Sequence, residues 1–205
     1  MTAAPALLRE VILGRRSVRR FLPTPLPQEL VAELVSLAAA APAPHHSRPW
    51  RFLLLSPPAR QRLAEAMGRA WRRDLLADGT PAAQVEELLQ RSRRRILAAP
   101  ALLLACLDLS AAHPWPDQRR QRAERDMFLQ SLGAALQNLM LAAHARGLGS
   151  CLMSAPLYCQ EEVREALGLP GGWEPAFLVE LGHPDPTYRP RPRPHPDLTT
   201  LLRPL

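Results

Sequence analysis

The longest stretch of the chain without a wide polar face lies between Met127 and Ala143, inside the segment ERDMFLQSLGAALQNLMLAAHARGLGSCLMSA that covers 124–155. Only a narrow stripe of Gln130, Ser131, Gln137 and Asn138 interrupts it. A helix apolar nearly all round must be buried on most sides. The small residues Gly133, Ala134, Ala135, Ala142 and Ala143 would let another helix approach closely, whether from the same chain or from a second subunit. Arg146 suits the negative end of the helix dipole and Gly147 the left-handed cap, so the helix is expected to stop there. Residues 150–153 then read as a short strand.

The remaining pattern arranges shorter elements around this unit. Residues 5–13 fit a helix ended by Gly14, and 27–41 fit an Ala-rich amphipathic helix opened by a proline. The prolines of 41–50 exclude regular structure there, and 51–55 reads as a buried strand. Two helices with Arg- and Glu-rich outer faces follow at 57–77 and 81–97. The apolar run 101–107 suits a central strand, with a helix left open by its Leu and Ala content. A helix at 160–167 and a strand at 176–181 complete the ordered part. The tail, 185–205, carries Arg189, Arg191 and Arg193 among six prolines and is expected to be extended, unable to fold by itself. Helices first with strands dispersed indicate one mixed α+β domain over 1–205, without the regular alternation of a dinucleotide-binding sheet.

Composition narrows the chemistry. All 26 basic residues are Arg, which removes Schiff-base lysines and the P-loop lysine. The net charge of +7 implies anionic partners: nucleic acid, phosphorylated cofactors or polycarboxylates. The arginines are scattered over several segments and aromatics make up only 5%, which argues against a nucleic-acid-binding face. Cys106, Cys151 and Cys159 have no metal-ligand spacing and read as buried reduced thiols of a cytoplasmic protein. No signal peptide and no membrane span are indicated.

No G-x-G-x-x-G follows a strand and no G-x-S-x-G elbow occurs. His45 and His46 are adjacent, with side chains diverging and no carboxylate near, so no metal site is expected. Arg15, Arg16 and Ser17 offer two guanidinium forks and a hydroxyl, the groups that hold a phosphate monoester; a solvated surface run has the same pattern. Arg191 and Arg193 form a second cationic pair with the same two readings. The exit of the long helix, 147–155, could bring backbone N–H groups to a planar ligand or be a simple cap.

Taken in order, these patches resemble the nitroreductase family of FMN-dependent oxidoreductases over nearly the whole chain. An Arg-x-Ser-x-Arg-x-Phe opening corresponds to Arg15 or Arg16 through Phe21. An A-P-S-S-x-N-x-Q-P-W loop corresponds to Ala41 through Trp50, and a G-L-G-x-C-W-I turn to Gly147 through Met153. A closing G-x-P and R-x-R-x-P correspond to Gly182 through Pro184 and Arg191 through Pro194. The chain departs from the pattern at Ala43-Pro44-His45-His46-Ser47-Arg48 and at Leu152. The His45-His46-Ser47-Arg48-Pro49 variant, with 116–120 and 123–129, is similar to one branch: the C-terminal reductase domain of the bifunctional protein that completes biosynthesis of the deazaflavin coenzyme F-420.

The resemblance implies an α+β fold with a mainly antiparallel sheet, a homodimer built on the long helix, and FMN at the dimer interface. The tail, 183–205, would pack on the partner subunit. Arg15, Arg16, Ser17, Arg191 and Arg193 would hold the FMN phosphate. His46 and Arg48 would stand near the flavin of the other subunit, and Ser154 and Ala155 would lie at its redox edge. The reaction implied is hydride transfer from reduced FMN to the dehydro precursor of coenzyme F-420, with Arg119, Arg120, Arg122 and Arg125 clamping the anionic substrate or simply forming a solvated helix start. His45, His46 or water would supply the proton. A general NAD(P)H-dependent nitro- or quinone reductase using the same FMN site is the alternative, and a flavin carrier without turnover a third.

Overall fold

The computed structural model describes residues 3–194 and 196–203. Along the chain, α1 (Ala3–Gly14) and α2 (Gln28–Ala38) precede a 3-10 turn (Pro44–His46) and β1 (Trp50–Leu54). Then α3 (Pro57–Ala77) and α4 (Ala82–Ala98) form a hairpin before β2 (Ala101–Asp108), and α5 (Gln118–Ala145) runs into β3 (Gly149–Met153). A second 3-10 turn (Ala155–Tyr158), α6 (Gln160–Leu167), β4 (Trp173–Gly182) and the single turn α7 (Leu198–Leu201) follow.

The strands form one sheet of order β1-β2-β4-β3, antiparallel at every pairing. The strand alternative therefore holds for 101–107: β2 is buried at all eight positions, because helices cover both faces of the sheet. Successive side chains alternate between those faces. Leu103, Ala105 and Leu107 join a core with Val31 and Leu34 of α2 and Phe128, Leu132 and Leu139 of α5. Leu102, Leu104 and Cys106 join another with Leu63 and Met67 of α3, Ile96 of α4 and Val163 of α6. The architecture is the expected α+β one with an antiparallel sheet.

Helix α5 begins well before the apolar run, at an Asp117 cap whose carboxylate accepts from the Arg120 amide at 2.9 Å. Within the single subunit the expected burial on most sides is met along one side only. One stripe, including Phe128, Leu132, Ala135, Leu139 and Ala143, is buried, while Met127, Gly133 and Gln137 on the other side stay exposed. The sheet and α2 can cover only one side of a cylinder, and the small residues opposite leave a face open to a further helix.

Two boundaries also move. Helix α2 stops at Ala38 and turns through 39–41, since the residue before Pro42 is disfavoured in helical geometry. The tail is not free over its first part. Pro184 bridges Phe21, the Asp185 amide donates to Arg20 O at 3.1 Å, and Tyr188 Oη donates to Ser17 O at 3.4 Å. Residues 184–188 thus lie on their own subunit. Among the described residues, no helix is long and apolar enough to cross a membrane.

Candidate functional site

The segment after α1 is laid against β3. The Val18 amide donates to Ser150 O at 2.9 Å, and Ser17 forms a parallel bridge with Ser150. This approach needs Gly149: a Cβ there would sit 2.8 Å from the Val18 Cβ. Gly147, at φ +73°, supplies the left-handed turn that ends α5 and starts β3. Two cavities flank the strand so positioned.

The smaller, about 260 Å³, is bordered by Gly14, Arg15, Arg16, His144, Ser150 and Pro190. Arg193 comes from the tail to its border, its Nη2 donating to Arg15 O at 2.5 Å. Burial lowers the Arg15 guanidinium pKa, and the like charges of Arg193 and Arg16 lower it further. Among the described residues, none of the three arginines is ion-paired. A repulsive cluster of forks with no carboxylate is suited to a multiply charged anion.

The larger cavity, about 740 Å³, is a trough between the α3–α4 hairpin and the end of β3. Met67, Ala70, Trp71, Asp74 and Leu75 form one face of α3, continued by Asp78 just past its end, and Leu88, Arg91, Ser92 and Arg95 the facing stripe of α4. Cys151 through Ala155 form the floor, and Arg19 stands at the wall. The walls are largely apolar, with two large aromatics uncovered: Trp71 at 39% and Tyr158 at 81% exposure. Burial pushes the Cys159 thiol up to about 11, so it is no nucleophile at neutral pH.

The sequence-predicted residues divide accordingly. Arg15, Arg16 and Arg193 come together at the small cavity, and Ser154 and Ala155 border the large one. Ser17 takes part through its backbone, with Ser150 and Tyr188. Arg191 is exposed, with no hydrogen bond of its own among the described residues.

His45, His46 and Arg48 border neither cavity. They lie in a turn where all three have positive φ, at 51°, 53° and 47°, a conformation costing roughly 1–2 kcal/mol per residue. Arg51 braces the turn by donating to Arg48 O at 3.0 Å and Trp50 O at 2.9 Å, and is itself held by Asp108 at 2.6 Å. Burial would raise the Asp108 carboxyl, but the Ser110 amide and hydroxyl and then Arg51 hold it below the usual carboxylate range.

The arginines at the start of α5 also border neither cavity of their own subunit. Arg120 pairs with Asp117 and lies over the Trp115 ring, and Arg125 pairs with Glu174 at 2.6 Å. Arg119 and Arg122 remain exposed. Nearby, the His113 amide and Trp115 Nε1 donate to the buried Glu124 at 3.1 and 3.3 Å and hold its carboxyl below the usual range.

A family model described as the Nitroreductase family matches residues 12–183. The chain belongs to the nitroreductase family. Among curated relatives, a Bacillus subtilis (strain 168) protein provisionally named as the NAD(P)H nitroreductase YfhC is 27% identical over 180 residues, covering 88% of this chain and 86% of the relative. The 4-nitrobenzoate reductase of Pseudomonas putida is 27% identical over 194 residues, covering 85% and 84%. Among solved structures, the FMN-dependent nitroreductase NfnB from Mycobacterium smegmatis, in complex with NADPH, superposes with a TM-score of 0.72 at 23% identity, covering 98% of each chain.

Within this nitroreductase fold, the residues that sequence reasoning missed are Arg19, Ser92 and Arg95 on the large cavity, and Glu180 behind them. One signal was available: Glu180 stands inside the apolar run of β4 and is 2% exposed, and a buried carboxylate demands a partner. The run itself does not say that the partner is Arg95.

Proposed function

We propose that this nitroreductase-family chain is an FMN-dependent oxidoreductase that works as a homodimer, accepting hydride from NAD(P)H and passing it to a planar conjugated acceptor such as a nitroaromatic or quinone. The observation that carries this reading is the pairing of two cavities along one strand: an unneutralised arginine cluster beside a largely apolar trough walled by arginines. FMN has that division, a phosphate dianion joined to a flat ring with polar edges, so the residues present fit it. Arg15, Arg16 and Arg193 would hold the phosphate. Arg19, Ser92, Arg95 and the backbone around Ser154 and Ala155 would hold the ring, and the α3–α4 hairpin would keep water from it.

When bound, FMN supplies the hydride chemistry, so no side-chain nucleophile is required of the protein. Trp71 and Tyr158 offer aromatic surface to a flat acceptor. The exposed face of α5 would meet its copy in the dimer, placing the turn at 45–48 where His46 and Arg48 can approach the other subunit's flavin. Water or one of the histidines would deliver the proton.

A second reading, reduction of the dehydro precursor of coenzyme F-420, is favoured by the similarity of 45–49 to that branch and by Arg119 and Arg122, exposed on α5 and available to an anionic substrate across a dimer. Arg120 and Arg125 are less available, since each already has a carboxylate.

The deciding experiment is to load the protein with FMN and follow NADPH oxidation with 4-nitrobenzoate, a quinone, and the dehydro precursor. Turnover of the first two without the third supports the general reductase; turnover of the precursor alone supports the second reading. A protein that retains no FMN refutes both.

A further inference from the structure

Glu180 is a carboxylate at a position where the fold calls for an apolar side chain. On β4 it shares with Leu178 the sheet face covered by α3, α4 and α6, and its cross-strand neighbours are Leu102 on β2 and Cys151 on β3. Its one hydrogen-bonding partner among the described residues is Arg95, in the last turn of α4. Arg95 Nε lies 2.8 and 3.0 Å from the two carboxylate oxygens, and Nη2 donates to one of them as well. The same Nη2 donates to Cys151 Sγ at 3.0 Å.

One edge of the fork is thereby consumed inside the protein. Nη1 has no partner among the described residues, and the side chain, 31% exposed, borders the large cavity. Arg19 borders the same cavity, and its charge favours the ionised form of Glu180. Burial raises the Glu180 carboxyl, against the pull of Arg95; the two-pronged contact argues that the pair is ionised at neutral pH. A buried ion pair is often no more stabilising than apolar residues of the same volume, so stability does not account for its presence beside a cavity.

We infer that Glu180 is a positioning residue for Arg95: it selects which edge of the guanidinium faces the cavity and cancels its charge, leaving Arg19 and Arg91 as the lining cations with no ion pair among the described residues, in a wall that also carries Asp74 and Asp78. This rests on the FMN reading above. Two electrons added to a bound ring make it more negative, so the net charge of the wall bears on how readily it is reduced. With Glu180 neutral, Arg95 would add a full positive charge there and favour the reduced form.

The test compares the FMN-loaded wild type with Glu180→Gln, Arg95→Gln and the double variant by dye-equilibrated potentiometry, with FMN affinity measured by fluorescence titration. Glu180→Gln is expected to favour reduction about tenfold, a rise of about 30 mV for a two-electron couple. The double variant should match Arg95→Gln alone, since the effect runs through Arg95. A wild-type potential in Glu180→Gln, or an equal shift in the Arg95→Gln background, overturns the inference. Arg95→Lys leaves Glu180 intact and guards against misfolding: it keeps the charge but not the fork, and is expected to weaken FMN about tenfold at an unchanged potential. Wild-type affinity there also overturns the positioning role. A wild-type protein that takes up no flavin refutes the FMN reading itself, a result separate from a loaded protein whose potential ignores Glu180.

Discussion

Replacing Arg15 by Gln should move ligand affinity and apoprotein stability in different directions. In the ligand-free chain, Arg15 is partly buried among Arg16 and Arg193 with no carboxylate among its neighbours, and burial and then the charges of Arg193 and Arg16 lower its pKa, outweighing an opposing pull from Cys151. Neutralising it relieves repulsion. For partly solvated charges this relief is about 1 kcal/mol or less, so the apoprotein should keep its melting temperature or gain up to roughly 4 °C. A phosphate dianion loses a charge-assisted hydrogen bond worth about 1.5–3 kcal/mol, so FMN should bind roughly 10- to 150-fold more weakly. The assay is a flavin-fluorescence titration of apoprotein beside a thermal melt of the same sample, each at low and high salt. Salt should shrink the stability difference, because the relieved repulsion is screened. An FMN Kd within about threefold of wild type, or a melting temperature lowered by several degrees, would refute the reasoning; the second result would make Arg15 a structural residue.

Gly149→Ala should destabilise the protein by about 1–3 kcal/mol, because its Cβ would press on Val18 at 2.8 Å; Val18→Ala in the same background should restore much of the loss in a denaturant melt. Asp108→Asn should cost about 1–2 kcal/mol at neutral pH, a figure kept low because Arg51 is 39% exposed. Since the Asp108 carboxyl is depressed in the fold, its contribution is complete above the unfolded pKa of about 4 and is lost as pH falls further. The acid limb of a circular-dichroism titration should therefore be shallower in the variant than in wild type, and identical limbs would argue against the clamp. Burial pushes the Cys106 thiol up to about 12 and the Cys159 thiol up to about 11, so neither should react with a thiol reagent at pH 8 until denaturant is added; rapid native labelling of either would contradict that burial.

Most of the fold was legible in local pattern. The apolar run 101–107 bounded by Pro100 and Asp108, the cap at Gly147, and the two helices of the α3–α4 hairpin depend on neighbours within a few positions. Such neighbours are what a periodicity reports. The order of motifs from Arg15 to Arg193 likewise carried the family. Local pattern left the answer open where a segment's environment comes from elsewhere: α5 is apolar on most sides, and its composition does not say which side the sheet covers and which is left to another helix.

With 26 arginines against 19 acidic residues, an excess of positive charge was inevitable from composition alone. Which arginines stay unpaired was decided by the tertiary structure. It gave Asp117 to Arg120, Glu174 to Arg125 and Glu180 to Arg95, and gathered Arg15, Arg16 and Arg193 with no carboxylate. Sequence patterns are short-ranged, whereas the Arg95–Glu180 contact spans 85 positions and the Arg193–Arg15 contact 178. Those distances are closed by strand register and helix packing, and so the site became visible only once β3 and its two flanking cavities were in place.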